Sequence, residues 1–264
     1  MSPLTEPTKL TLAKSFTWNE TVWNPSMIQT ALWLDAADVS TVRTVSGAVN
    51  QWDDKSGNGR HATQSTAGSR PTYSSTGFNS LPGITFDGSD DQMQHGCTQS
   101  GQYTVIAVYK INSTQTGYRG VISVGPNSTG GTMLLARTTT SFVGSYGTTD
   151  INSTFAYVNG QSVIAVIEDD NGSATKSFWV NGAAAGTFTD NPSGQPIAHI
   201  GGLTSVQSQA AAQHTSMTLA ECLALPVVAT AIVRQKLEGY LAWKWGLTAN
   251  LPAGHPYKTV GPTP

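Results

Sequence analysis

Twelve short apolar or alternating runs, divided by turn residues and followed by one helical stretch, constrain this chain more than anything else in it. They fall at 31–34, 84–86, 103–111, 120–124, 132–136, 142–146, 155–157, 162–167, 176–180, 184–189, 198–201 and 217–224. Runs of this length cannot be helices that bury a face of their own, and their number predicts an all-β antiparallel sandwich. The turns agree. Asn171-Gly172 and Asn181-Gly182 each stand between β-like runs, where Asn-Gly supplies the positive φ of a two-residue hairpin. The segment SATKSFWVNGAAAGTF therefore reads as a hairpin.

The late helix is TAIVRQKLEGYLAWKW, 230–245. Val233, Leu237, Tyr240, Leu241 and Trp245 make one apolar stripe, and Arg234, Gln235, Glu238 and Lys244 are expected to lie largely off it. Thr230 has the chemistry of an N-cap and Gly246 that of a C′ residue. A tail, GLTANLPAGHPY, follows at once.

Composition narrows the partners. With 11% charged residues and a net charge of −2, there is no basic surplus to neutralise phosphates, so nucleic-acid binding is not expected. Uncharged Ser, Thr, Asn and Gln, with 27 glycines, suit a protein exposed outside a cell. No apolar run has the length of a secretory core or a membrane span. An outside-like composition without an export address points to a virus particle, assembled inside a cell and exposed later. The sequons at Asn19, Asn112 and Asn152 are chance products of a Ser/Thr/Asn-rich chain. Cys97 and Cys222 read either as two separate buried thiols, the preferred reading, or as a disulfide closing a long loop.

Two parts are expected: an extended docking arm at 1–26 and a sandwich domain at 27–264 that includes the helix and the Pro-rich tail. The arm is too polar to fold alone. Its tryptophans, Trp18 and Trp23, need a pocket, either along the arm's own domain or on a neighbouring subunit.

Few residues promise chemistry. In WDDKSGNGRHATQ, Asp53, Asp54 and Asn58 offer hard oxygens that could take calcium, or simply build a tight turn. No other cofactor is expected. The glutamates at 6, 20, 168, 221 and 238 are scattered, without the paired acids that glycoside hydrolysis uses, and Glu168-Asp169-Asp170 reads as a solvated turn. The five histidines lack metal spacing, and no nucleophile elbow occurs. His255 is expected to pack or bond within the tail. Trp33, Trp179, Trp243 and Trp245 read as core, whereas Tyr73, Tyr118 and Tyr146 lie nearer turns and are candidate platforms for a sugar ring.

The order LWLDA (32–36), WDDKSGNG (52–59), RPTY (70–73), GITFDG (83–88), EGYLAWKWGL (238–247) and LPAGHPY (251–257) resembles concanavalin A-like, laminin-G-like domains of bacteriophage virion and bacterial surface proteins. The resemblance covers about 31–257. It implies a jelly-roll sandwich that binds glycans, proteins or neighbouring subunits. The leading expectation is a non-enzymatic structural subunit of a phage particle, in the head decoration or tail, meeting other virion proteins, forming a homo-oligomer and located in the virion. The alternative is a module that binds bacterial surface glycans.

Overall fold

The computed structural model describes residues 22–99, 101–113, 118–124, 126–127, 132–137, 141–145, 153–155, 158–170, 175–189, 195–196, 198–203 and 213–264. Over these residues the chain is an antiparallel jelly-roll sandwich with one helix near its C-terminal end. The first strands are β1 (Leu32–Asp35), β2 (Val42–Val45), β3 (Ala48–Trp52), β4 (Ala62–Thr63), β5 (Thr72–Phe78), β6 (Leu81–Asp87) and β7 (Met93–Gln94). Next come β8 (Tyr103–Ile111), β9 (Tyr118–Ser123), β10 (Pro126–Asn127), β11 (Thr132–Arg137) and β12 (Ser141–Ser145). The last are β13 (Ser162–Asp169), β14 (Thr175–Val180), β15 (Ala183–Thr189), β16 (Gln195–Pro196), β17 (His199–Ile200), β18 (Gly202–Leu203), β19 (Gln213–His214) and β20 (Ser216–Leu225), followed by α1 (Ala231–Lys244).

The main sheet runs β12-β11-β9-β17-β7-β4-β3-β5-β6-β20-β8-β13-β14-β15, with β1 on β20 and β2 on β3; β10 pairs β16 and β18 pairs β19 separately. This long sheet curls so that its two halves enclose the core. Trp52, Phe78, Phe86, Met93, Tyr103 and Tyr109 lie inside. β13 is buried along its whole length and β8 at all but one position, which is why both read as continuous apolar runs.

Eleven of the twelve expected runs coincide with strands. The exception is 155–157: Phe155 carries no strand and the other two residues lie outside the described ones. β2, β3, β4, β5 and β7 and the two-residue strands β10, β16, β18 and β19 were not foreseen. The residues of β2 are mostly exposed and those of β5 mostly polar, so neither shows an apolar alternation to read. Asn181 and Gly182 turn the β14–β15 hairpin with φ of +50° and +79°, as their sequence predicts. Asn171-Gly172 lies outside the described residues.

The helix ends are built as expected. The Thr230 hydroxyl accepts from the Val233 N–H, and Gly246, at φ +70°, lets the Leu247 N–H close back on the Ala242 carbonyl at 2.7 Å. Among the described residues no helix is long and apolar enough to cross a membrane.

Gly239 is a poor helix former in mid-helix, and the tail explains it. A Cβ there would sit 2.5 Å from the Tyr257 Cβ. The tail lies against the helix at that point, tied by Trp243 Nε1 to the Tyr257 carbonyl at 2.9 Å. Gly239→Ala is expected to lose about 1–3 kcal/mol through overpacking, although alanine gains about 1 kcal/mol in helix propensity. Denaturant unfolding checks this, and a more stable variant would show that the tail does not seat on the helix.

Trp23 corrects the expected arm. It is buried in the core cluster, edge-on to Tyr240 at 6.4 Å, and its N–H donates to the Pro262 carbonyl. A large aromatic finds its pocket in its own domain here, so Trp23 is not available to a neighbour, and packed structure begins ahead of residue 26. Trp18 lies outside the described residues. Both cysteines are buried free thiols.

Candidate functional site

The Asp-rich loop after β3 covers an edge. β1 pairs β20 on one side, and on the other the Trp33 N–H donates to Asp54 Oδ1 at 2.9 Å while the Trp33 carbonyl accepts from the Lys55 N–H at 2.8 Å. Asp54 also receives the N–H groups of Ser56 and Arg60 and the Ser56 hydroxyl. Asn58 Nδ2 and Arg60 Nη1 donate to the Ala31 carbonyl. The loop thus imitates a strand where none is present, which an open edge requires. Asp53 turns the other way, to the Arg43 guanidinium at 2.7 Å and to Gln51, and Arg43 holds its carboxyl below the ordinary range. Both carboxylates thus receive protein donors, and Asn58 directs its amide N–H to the Thr30 and Ala31 carbonyls, the contacts of a turn that holds itself against β1.

The polar residues of α1 are a second correction. Arg234, Glu238 and Lys244 are not on a wet face. α1 packs on the side of the sheet that carries Glu168 of β13 and Glu221 of β20, and each charge finds a partner there. Glu221, fully buried, accepts from Trp33 Nε1, Lys244 Nζ and Trp245 Nε1 at 2.7 Å each and from the Tyr240 hydroxyl at 3.1 Å. Lys244 continues to Asp35 at 2.7 Å, and Lys55 joins Asp35 to Asp38. Burial alone would push the Asp35 carboxyl up; Lys244 and Lys55 outweigh it and hold it below its ordinary value. Burial pushes the Glu221 carboxyl above its own, against the pull of Lys244.

Arg234 meets Glu168 at 3.1 Å and stacks over Trp179 at 3.5 Å, and Trp179 Nε1 donates to the same carboxylate. Glu168 and Asp169 are therefore buried strand residues, not a solvated turn. Glu238 of α1 meets His255 at 3.2 Å, a bond outside the tail, while within the tail His255 Nδ1 accepts from the Tyr257 N–H as expected. Each described glutamate is thus committed to an internal partner.

Among the described residues, concavities of similar size, each near 400 Å³, lie at three places. In one, Asp35, Lys55 and Lys244 are spent on one another. In another, Asn58 and Arg60 are spent on the edge of β1. The third, a groove of about 410 Å³ across β3, β4, β7 and β17, differs.

Its floor follows from register. Gln51 pairs with Thr63, Thr63 with Gln94, and Gln94 with His199, one residue from each strand. Their neighbours Trp52, Ala62, Met93 and Ile200 are fully buried on the core side, so by strand alternation these four face outward in a single row. At about 4.8 Å per strand the row spans about 14 Å. The Thr63 hydroxyl and the Gln94 amide have no protein partner among the described residues. Asn50 Oδ1 and His199 Nδ1, which line the groove, are buried polar atoms without a hydrogen bond among the described residues. Such atoms cost about 1–3 kcal/mol each, and rotation of the amide or ring would present them to a bound group. Burial pushes the His199 imidazole below its ordinary value, so it is neutral at pH 7.

The sequence did not single out this row, since its members lie on four separate segments. Tyr73 is half-buried against the core, Tyr118 opens β9, and Tyr146 lies outside the described residues.

The sequence matches no protein-family model and no curated protein. Solved structures share its fold. Trypanosoma rangeli sialidase, in complex with 2,3-difluoro-KDN, aligns with a TM-score of 0.57 at 14% identity, over 81% of this chain and 33% of the sialidase. Domain 4 of AbnA, an extracellular GH43 arabinanase from Geobacillus stearothermophilus in complex with arabinotriose, aligns at 0.57 and 12% identity, over 80% of this chain and 98% of that domain. Botulinum neurotoxin type C, whose cell entry depends on two ganglioside molecules, aligns at 0.55 and 11% identity, over 81% and 51%. The chain therefore spans about a third of the sialidase chain and nearly all of the arabinanase domain. The fold is the concanavalin A-like jelly roll that the sequence motifs resemble.

Proposed function

We propose that this protein is a non-enzymatic saccharide-binding module that receives an extended sugar chain in the groove across β3, β4, β7 and β17. The observation that carries the reading is the in-register row Gln51, Thr63, Gln94 and His199, in which His199 Nδ1, with Asn50 Oδ1 beside the row, is a buried polar atom without a partner among the described residues. Hydroxyl groups, each donor and acceptor, match such a floor. The solved neighbours in complex with arabinotriose or 2,3-difluoro-KDN and the neurotoxin whose cell entry depends on gangliosides support it, as does the internal commitment of the described glutamates.

A glycan array, run with and without chelator, is the test. Replacing Thr63 and Gln94 together with alanine is expected to weaken the best ligand about tenfold, from two lost hydrogen bonds of about 0.5–1.5 kcal/mol each. A blank array, or a ligand indifferent to both changes, would overturn the reading.

Where the module works is a separate part of the proposal. The sparse charge and the motif resemblance support a subunit of a bacteriophage particle, with residues 1–21, including Trp18, as its attachment. Because Trp23 belongs to the core, a deletion must stop before it. Removing 1–21 is expected to abolish incorporation into particles, read by mass spectrometry of purified virions, without changing the unfolding midpoint. Retained incorporation would refute the attachment role.

A further inference from the structure

We propose that the groove prefers saccharides that carry an anionic group, and that Arg70 is the residue that receives the anion. This inference rests on the saccharide-binding reading and deepens it.

Among its lining residues the groove has five amide side chains, one guanidinium and no carboxylate. It also offers no Trp, Tyr or Phe ring, the surface on which the apolar face of a neutral sugar would stack. Recognition there must come from hydrogen bonds and charge.

Arg70 is held for that purpose. Its Nε donates to the Gln64 carbonyl at 2.9 Å and its Nη2 to the Ser65 carbonyl at 2.8 Å. Two backbone acceptors fix the guanidinium plane at the groove wall, and Nη1 has no protein acceptor among the described residues. Arg70 also makes no ion pair among them, unlike Arg43, Lys55, Lys176, Arg234 and Lys244, which all face carboxylates.

Two of the nearby acids already have protein partners, while Asp90 also stands with Asp87 and Asp91 in an acidic group beside Gln92, so the test must read the charge of the ligand directly. Asp90 accepts from the Ser69 hydroxyl at 3.3 Å, and Asp53, bonded to the groove residue Gln51, is neutralised by Arg43. With His199 neutral at pH 7, Arg70 is the full positive charge in the groove. An oriented guanidinium with an open donor pairs directionally with a carboxylate, sulfate or phosphate oxygen.

The test compares saccharides that differ only in the charge. Oligogalacturonate against its methyl ester, sialyllactose against lactose, and a sulfated oligosaccharide against its unsulfated parent are titrated by calorimetry into the full chain. In at least one pair the acidic member is expected to bind tenfold or more tightly, with an affinity that falls as salt is added. Arg70→Gln should bring that pair within about twofold by weakening the acidic member more than the neutral one, and Arg70→Lys should keep part of the preference.

Equal binding within every pair would overturn the inference, as would an acidic preference that survives Arg70→Gln in a variant with an unchanged unfolding midpoint. Binding of neutral glycans alone refutes the anion preference and leaves the saccharide-binding reading standing. Binding of no glycan at all refutes both.

Discussion

Lys244→Met is expected to lower the stability of the protein by about 3–5 kcal/mol and its melting temperature by on the order of 10 °C. The ammonium lies between Glu221, which is fully buried, and Asp35, with 2.7 Å contacts to both. Methionine fills the space and removes the charge, leaving a buried carboxylate whose remaining donors are two indoles and a phenol. The cost comes from that stranded charge rather than from lost attraction. A second change, Glu221→Gln, should therefore restore a substantial part of the stability.

The pH dependence has a definite sign. Without Lys244 the Glu221 carboxyl in the folded state is raised further above its unfolded value, so the folded state binds the proton more tightly. Lowering the pH from 8 to 5 should shrink the deficit. Denaturant melts of the single and double variants at both pH values check this. A loss below about 1 kcal/mol for Lys244→Met would show that α1 does not sit on β20 as described.

Asp54→Ala is the second large effect, expected at about 3–5 kcal/mol. Its carboxylate accepts the N–H groups of Trp33, Ser56 and Arg60, and at Trp33 no strand is present to take its place. Each buried N–H left without an acceptor costs about 1–3 kcal/mol. Asp53→Ala, by contrast, removes a pair with a largely exposed arginine and should cost about 1 kcal/mol or less. Thermal melts of both variants, with added calcium and with chelator, separate edge-covering from metal binding. Equal losses for the two, or a calcium-dependent melting temperature in the native chain that Asp54→Ala abolishes, would reverse the assignment.

The contrast between these adjacent aspartates shows where sequence reading stops. WDDKSGNGR announces a turn rich in oxygen donors, yet nothing in the string says that Asp54 faces β1 and Asp53 faces Arg43. The same holds for α1. Its period of 3.6 located the stripe Val233, Leu237, Tyr240, Leu241 and Trp245, but assigned Arg234, Glu238 and Lys244 to solvent because periodicity carries no information about the opposing surface. A signal was available: Glu221 stands in SMTLAECLAL, and a carboxylate inside so apolar a strand must find a cation. The matching lysine 23 residues later could have been sought on that ground.

By itself the sequence determined the local elements: the length and place of most strands, the Asn181-Gly182 hairpin, the Thr230 and Gly246 caps, and the sandwich class. These follow from interactions within a few residues, from φ preferences, capping and alternation. Only the tertiary structure decided that Trp23 belongs to the core, that the helix charges are buried pairs, and that Gln51, Thr63, Gln94 and His199 form one row. Strand order and register are set by which apolar surfaces meet when the sheet curls. That is a property of contacts between distant segments, and no short stretch of the chain encodes it.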